Sequence, residues 1–172
     1  KELGVTIIQL IKPKPSGGWL GNYTNDFTEE DLAYIEEVVN RYNNSKEYRD
    51  YPFIAAQILD EKSDMFGCTA GGTDRFYINA KGDVQPCEFL NISFGNIKLE
   101  DFDTIYLRMR EKFKTSGDKW LCEVCSKDIT RIVKENNINV LPLSKELSET
   151  ITSNWDRGNE ADFYKHVKKV LK

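Results

Sequence analysis

The chain has 172 residues, 30% of them charged and 40% hydrophobic, with a formal net charge of −4. That length holds one or two small domains with a real apolar core, and a mean hydropathy of −0.55 with no apolar run near about 20 residues excludes a membrane-spanning helix. The acidic balance lacks the basic face of a general nucleic-acid binder, and twenty aromatics against five prolines exclude a disordered chain.

The sequence opens at Lys1 rather than Met and soon enters Val5-Thr6-Ile7-Ile8-Gln9-Leu10-Ile11. This nearly continuous β-branched run predicts a strand buried on both faces. Such a strand, with no earlier strand to pair with it, suggests a piece of a longer protein or a chain trimmed of a short leader. Its free edge suggests that the piece dimerises through residues 5–11. No signal-peptide pattern is read at the start, so a cytoplasmic location is expected.

Pro13 and Pro15 end the run, and Ser16-Gly17-Gly18 with Gly21 makes a permissive loop. A helix is predicted from Thr28, which caps Asp31 in a capping box. Leu32, Ile35, Val38, Val39 and Tyr42 line its apolar face, and Asn43-Asn44-Ser45 ends it. Residues 53–59 read as a second strand. From Gly67 the texture changes. Cys68 and Ala70-Gly71-Gly72 precede the strand Phe76-Tyr77-Ile78, a turn at 79–83, and Val84-Gln85-Pro86-Cys87. This is a hairpin in which Gly82 supplies the positive φ, with Cys68 and Cys87 at its two ends. Residues 100–114 form a helix presenting Phe102, Ile105, Met109 and Phe113. A polar connection then leads to Trp120-Leu121-Cys122-Glu123-Val124-Cys125. A charged tail with one or two short helices closes the chain, the last capped by Asn159 and showing Phe163, Val167, Val170 and Leu171. The natural boundary falls between residues 60 and 67.

The four cysteines, Cys68, Cys87, Cys122 and Cys125, are separated by 18, 34 and 2 residues. A two-residue interval is the spacing of a turn that offers two thiolates to one ion, as in zinc and iron–sulfur sites. It is also the redox pair of thioredoxin-like folds, although Trp120-Leu121 after a polar loop matches that fold poorly. Two structural disulfides fit an exported protein, which nothing here signals. The positions lie beside turns rather than on apolar faces, unlike ordinary buried cysteines. A four-thiolate metal site leads, and spacing alone leaves zinc and a [4Fe–4S] cluster both open. His166, the sole histidine, reads as solvated rather than as a ligand.

Cys68, then Ala70-Gly71, then Gly82-Asp83-Val84-Gln85-Pro86-Cys87 resembles the opening of the auxiliary-cluster (SPASM/twitch) domain of radical S-adenosylmethionine enzymes. Phe94-Gly95-Asn96-Ile97 resembles the segment after that opening, and Cys122/Cys125 the next cysteine pair. The long form of the domain carries further cysteines and two clusters. This chain has none after Cys125 and resembles the shortened twitch form, with one cluster. The resemblance covers about residues 66–128. It implies that Cys68, Cys87, Cys122 and Cys125 bind one auxiliary [4Fe–4S] cluster that relays an electron or helps position a peptide or small-molecule substrate. Less specifically, Gly4-Val5 to Pro13 and the helix from Thr28 resemble the last strand and helix of that family's partial barrel. The family's CxxxCxxC is absent, which implies that S-adenosylmethionine is used only by the remainder of a full-length parent, the partner of this piece, and that the piece has no catalytic residues of its own.

Around the cysteines, Gly71, Gly72 and Gly82 allow close backbone approach. Arg75 and Lys81 are candidate compensating cations or solvated hairpin side chains, and Phe89 and Trp120 either exclude water or pack as ordinary core. Lys12 and Lys14 beside Gly17-Gly18 lack the spacing of a phosphate loop. Asp26, Glu29, Glu30 and Asp31 read as favouring a helix start rather than as a catalytic pair, and Lys165, Lys168, Lys169 and Lys172 read as a soluble helix face rather than as a docking surface for the parent or a peptide leader. The expected fold is α+β. Residues 1–60 would be a remnant of a partial (β/α) barrel, 61–130 a hairpin-plus-helix cluster module, and 131–172 a helical tail. The expected function is that of an auxiliary cluster domain. The alternative is a zinc-stabilised four-cysteine binding module without redox activity, and zinc also substitutes for iron in an aerobic preparation.

Overall fold

The computed structural model describes residues 2–22, 24, 27–62 and 64–171. Lys1, Asp26 and Lys172, named above, lie outside the described residues. The chain is mixed helix and strand, as α+β requires, and divides into two compact units. One holds the described residues up to Pro13 and from Thr24 to Lys62. The other holds those from Lys14 to Asn22 and from Asp64 onward.

In the first unit, β1 (Ile7–Leu10) is followed by α1 (Glu29–Asn44), β2 (Phe53–Ala56) and α2 (Gln57–Asp60). β1 and β2 pair in parallel, with Ile7 opposite Phe53 and Leu10 opposite Ala56. Parallel neighbours need a crossover, and α1 supplies it. The Thr28 hydroxyl accepts from the Asp31 N–H at 3.1 Å while the Asp31 carboxylate accepts the Thr28 N–H at 2.8 Å. Both bonds of the capping box are therefore made. Leu32, Ile35, Val38, Val39 and Tyr42 are half-buried, and every other residue of α1 except Asn43 is exposed. Asn43 acts as an extra strand partner, its side chain both donating to and accepting from the Ile54 backbone at 2.9 Å.

Two expectations change here. β1 is not buried on both faces, since Ile7 is 61% exposed and its partner Phe53 55%. Each strand of a two-stranded sheet has one neighbour, so much of the side-chain surface stays open. The predicted strand over 53–59 stops at Ala56 and turns into α2. A short apolar run with two alanines carries no period that separates strand from helix.

The second unit begins with a single 3-10 turn at Gly17–Trp19. It continues through β3 (Tyr77–Ile78), β4 (Asp83–Gln85), β5 (Gly95–Asn96), α3 (Phe102–Lys112), α4 (Leu121–Val124), α5 (Ser126–Glu135), α6 (Lys145–Thr152) and α7 (Asp162–Val170). The predicted hairpin is β3–β4, with Ile78 opposite Val84. Gly82 holds φ +96° at its turn, a region that costs a side chain but not glycine. β5 adds a third antiparallel strand, Gly95 opposite Val84. The core gathers on this sheet. Val84, Leu90, Ile92, Ile105, Met109, Phe113, Leu121, Ile129 and Leu143 are all buried. The predicted α3 stripe is present, with Ile105, Met109 and Phe113 fully enclosed and Phe102 packed at the margin.

Beyond Cys125 three helices form rather than one or two. α6 is capped by Ser144, whose hydroxyl accepts the Leu147 N–H. The N-cap of α7 is Ala161, not Asn159. Asn159 is instead drawn to Asp118, whose carboxylate accepts its backbone N–H at 3.0 Å and its side-chain amide at 3.3 Å. Among the described residues no helix is long and apolar enough to cross a membrane.

Candidate metal centre

All four predicted ligands fall in the second unit, and all are free thiols. Cys68 is half-buried, whereas Cys87, Cys122 and Cys125 are buried. The Cys68 N–H donates to the Gly117 carbonyl at 2.7 Å. The Ser116 hydroxyl reaches the carbonyls of Phe66 and Cys68 at 2.6 and 3.1 Å. Residues 116–118 are in turn held by the tail. The Ala161 N–H donates to the Ser116 carbonyl at 3.2 Å, and the Asp118 N–H to the Asn159 carbonyl at 2.8 Å. Gly117 thus bridges Cys68 on one side and Glu160 on the other. A Cβ at 117 would stand 2.2 Å from the Arg157 carbonyl oxygen, so only glycine lets the tail approach this closely.

Cys87 follows Pro86 at the end of β4. The Gly71 N–H donates to the Pro86 carbonyl at 2.8 Å, tying the loop after Cys68 to the turn that carries Cys87. Burial pushes the Cys87 thiol up to about 12, the Cys68 charge adds to the rise, and the Phe89 and Leu90 amides, donating to the sulfur, oppose it. Those two amides are donors of the kind that stabilise metal-bound thiolates.

Cys122 lies within α4 and Cys125 caps it, the Cys125 N–H closing the turn on Leu121 at 2.9 Å. Burial raises the Cys125 thiol to about 12, helped by the Asp128 charge and then by Cys68. Cys122 also rises through burial, opposed by Lys14 and reinforced by Cys87 and Cys68. Cys68 is therefore felt electrostatically at each of the other three. Coordination contact is a stronger condition. Among the described residues no group of three or more His, Cys, Asp or Glu side chains stands together closely enough to grip an ion.

Two cations that sequence reasoning did not assign to the cysteines stand by them. Lys14 is buried, its Nζ 3.1 Å from the centroid of the Trp120 ring. Its segment is fixed by Ser16, which exchanges hydrogen bonds with the Asn91 side chain at 3.3 and 3.2 Å. Arg157 lies 4.7 Å over the Phe113 ring. Its Nη1 donates to the Lys112 carbonyl at 3.0 Å and its Nη2 to the Thr115 carbonyl. Burial lowers the Arg157 guanidinium from its ordinary range and the Cys68 charge opposes the fall. The candidates named from sequence are placed differently. Arg75 pairs with Asp74 at 3.1 Å, and Lys81 and His166 are exposed. Phe89 packs at the core margin, and half-buried Trp120 is the platform under Lys14. Lys14 carried only its proximity to glycines as a signal, and Arg157 carried none, because each reaches the site through a tertiary approach.

Residues 68–127 match the family model of the SPASM iron-sulfur cluster-binding domain. The match starts at Cys68 and ends two residues past Cys125, so it takes in all four cysteines, and it supports an iron–sulfur cofactor. No curated protein and no solved structure matches the chain.

The second unit also fits such a group by its own chemistry. Four thiols are a complete soft donor set, and amides already point at one sulfur. Among the described residues two buried side-chain polar atoms lack a hydrogen-bond partner, Thr69 Oγ1 and Arg157 Nε. One belongs to the residue after Cys68, and the other to the cation that feels its charge. Orphaned buried polar atoms are rare, and both of these lie on residues tied to Cys68.

Proposed function

We propose that Cys68, Cys87, Cys122 and Cys125 bind one [4Fe–4S] cluster, and that the segment serves as the auxiliary cluster domain of a radical S-adenosylmethionine enzyme. The observation that carries this is the SPASM match, whose span brackets the four cysteines. When bound, such a group supplies one-electron transfer. The chain's own residues enclose it. The Phe89 and Leu90 amides stabilise thiolate charge at Cys87, and the 116–118 segment fixes the backbone of Cys68. Four cysteines as ligands leave no iron open to substrate, so the domain acts by electron transfer and by positioning a peptide or small molecule. The parallel β1–α1–β2 arrangement supports reading the first unit as the end of a partial barrel, with the S-adenosylmethionine site in the remainder of the parent.

The test is anaerobic reconstitution with iron and sulfide, followed by elemental analysis and visible absorption, on the wild type and on Cys122→Ser. A brown protein with about four irons per chain, weakened or lost in the variant, is the expected result. A colourless protein that refuses iron and holds one zinc overturns the proposal in favour of a structural zinc module.

A further inference from the structure

The segment matching the SPASM model ends at residue 127, yet two cations near its cysteines come from outside it. Lys14 arrives from the N-terminal side and Arg157 from the tail. A buried positive charge acts on its surroundings with little screening by solvent. Lys14 is buried on the face of Trp120, two residues before Cys122. Arg157 is clamped by the Lys112 and Thr115 carbonyls through its two terminal nitrogens. Its Nε remains buried and without a hydrogen-bond partner. The Arg157 main-chain carbonyl lies where a Cβ at Gly117 would be, and the Gly117 carbonyl accepts the Cys68 N–H. Lys14 is thus linked to the Cys122 end of the set through Trp120, and Arg157 to the Cys68 end through Gly117.

We infer that Lys14 and Arg157 form the charge-compensating pair of the four-cysteine site and raise the reduction potential of the cluster it holds. This rests on the iron–sulfur reading above. One-electron reduction adds one negative charge to the loaded site. The electron comes from the chemical reductant or electrode that poises the solution, and no bond of the chain forms or breaks. Fixed positive charges in a buried setting favour the more negative state and are weakly screened there. Both are positioning residues that tune the site rather than ligands.

The experiment measures the midpoint potential of the reconstituted protein by redox titration, with iron content determined on the same samples. Lys14→Met and Arg157→Met are each expected to make reduction at least tenfold less favourable, which is about 59 mV lower for a one-electron couple. The double variant is expected to fall further than either. Lys14→Arg and Arg157→Lys, which keep the charge, are expected to stay near the wild type, as is Lys98→Met at an exposed lysine. Where a methionine variant holds no iron, the glutamine variant at that position replaces it in the comparison. If glutamine too holds no iron, retention of iron by the charge-conserving variant supports the inference, and loss there as well overturns it. Unshifted potentials in iron-loaded variants overturn this inference alone. A wild type that takes up no iron overturns the cluster reading and this inference with it.

Discussion

Phe113 is a core side chain of the second unit, and Phe113→Ala tests how far the unit depends on it. The ring is fully enclosed, edge-on to Phe94 at 6.0 Å and to Trp155 at 4.9 Å, with Arg157 over its face. Burying a phenyl ring removes roughly 150–200 Å² from water, or about 4–5 kcal/mol at about 25 cal/mol/Å². Alanine recovers about 1 kcal/mol of this, and the lost ring contacts and the cavity add to the cost. The expected destabilisation is therefore about 4 kcal/mol, within the usual range for Phe→Ala. With a urea m-value of about 2 kcal/mol/M, the unfolding midpoint followed by circular dichroism falls by about 2 M. A second substitution sharpens the test. At Gly71, φ is +74° and a Cβ would stand 2.0 Å from the Phe113 ring. Gly71→Ala is thus both strained and overpacked, and costs about 2–4 kcal/mol. In the Phe113→Ala background the overpacking disappears and only the backbone cost of about 1–2 kcal/mol remains. The double variant is then more stable than the sum of the two single losses. Strict additivity, or a Phe113→Ala loss below about 1 kcal/mol, would refute the packing account.

Ser148 is buried, accepts the Ser93 N–H at 2.9 Å and donates to the Ser144 carbonyl at 2.7 Å. Ser148→Ala strands the Ser93 amide and is expected to cost about 1–3 kcal/mol, seen as a lower thermal midpoint; a change within about 0.5 kcal/mol contradicts it. Glu100 receives both terminal nitrogens of Arg108 at 3.0 and 2.6 Å, and those bonds hold its carboxyl below its ordinary value of 4.5. A depressed folded value contributes stability that is full above the ordinary value and fades as the pH falls through the lowered one. Glu100→Gln is therefore expected to flatten the acid limb of the stability profile below pH 4.5, and an unchanged acid limb counts against the pair. With Cys87 and Cys125 buried and raised to about 12, iodoacetamide at pH near ~8 is expected to label the metal-free protein first at half-buried Cys68. Peptide mapping that finds Cys87 or Cys125 labelled as fast as Cys68 refutes their enclosure.

What the sequence made legible is what short-range chemistry decides. The Thr28–Asp31 box is four residues long, the β3–β4 turn needs one glycine with positive φ, and the α3 stripe repeats every three or four residues. Each pattern is complete within one element, and each is present in the fold. Of the cysteine spacing only the two-residue interval, at α4, is local in this way. The exposure of β1 was not, because an apolar run states what a strand is able to bury and not how many neighbours it has. The two-residue β5 was missed as well. It exists as a strand through its pairing with Asp83 and Val84, and two residues carry no period.

Lys14 and Arg157 mark the sharper limit. Lys14 precedes Cys68 by 54 residues and Arg157 follows Cys125 by 32, so no local spacing relates either to the cysteines. What relates them is a chain of contacts. Ser16 anchors on Asn91, four residues past Cys87, and that anchorage holds the segment from which Lys14 meets Trp120. On the tail side, Asn159, Glu160 and Ala161 run along residues 116–118, which run along Cys68. The intervals of 18, 34 and 2 residues then acquire physical content. The first is the length of the loop and hairpin that return the chain from Cys68 to Cys87, and the second holds β5 and α3, which build the core under both. The last is one turn of α4. Spacing of this kind records the elements that lie between the cysteines along the chain, whereas Lys14 and Arg157 come from parts of the fold that no spacing reports.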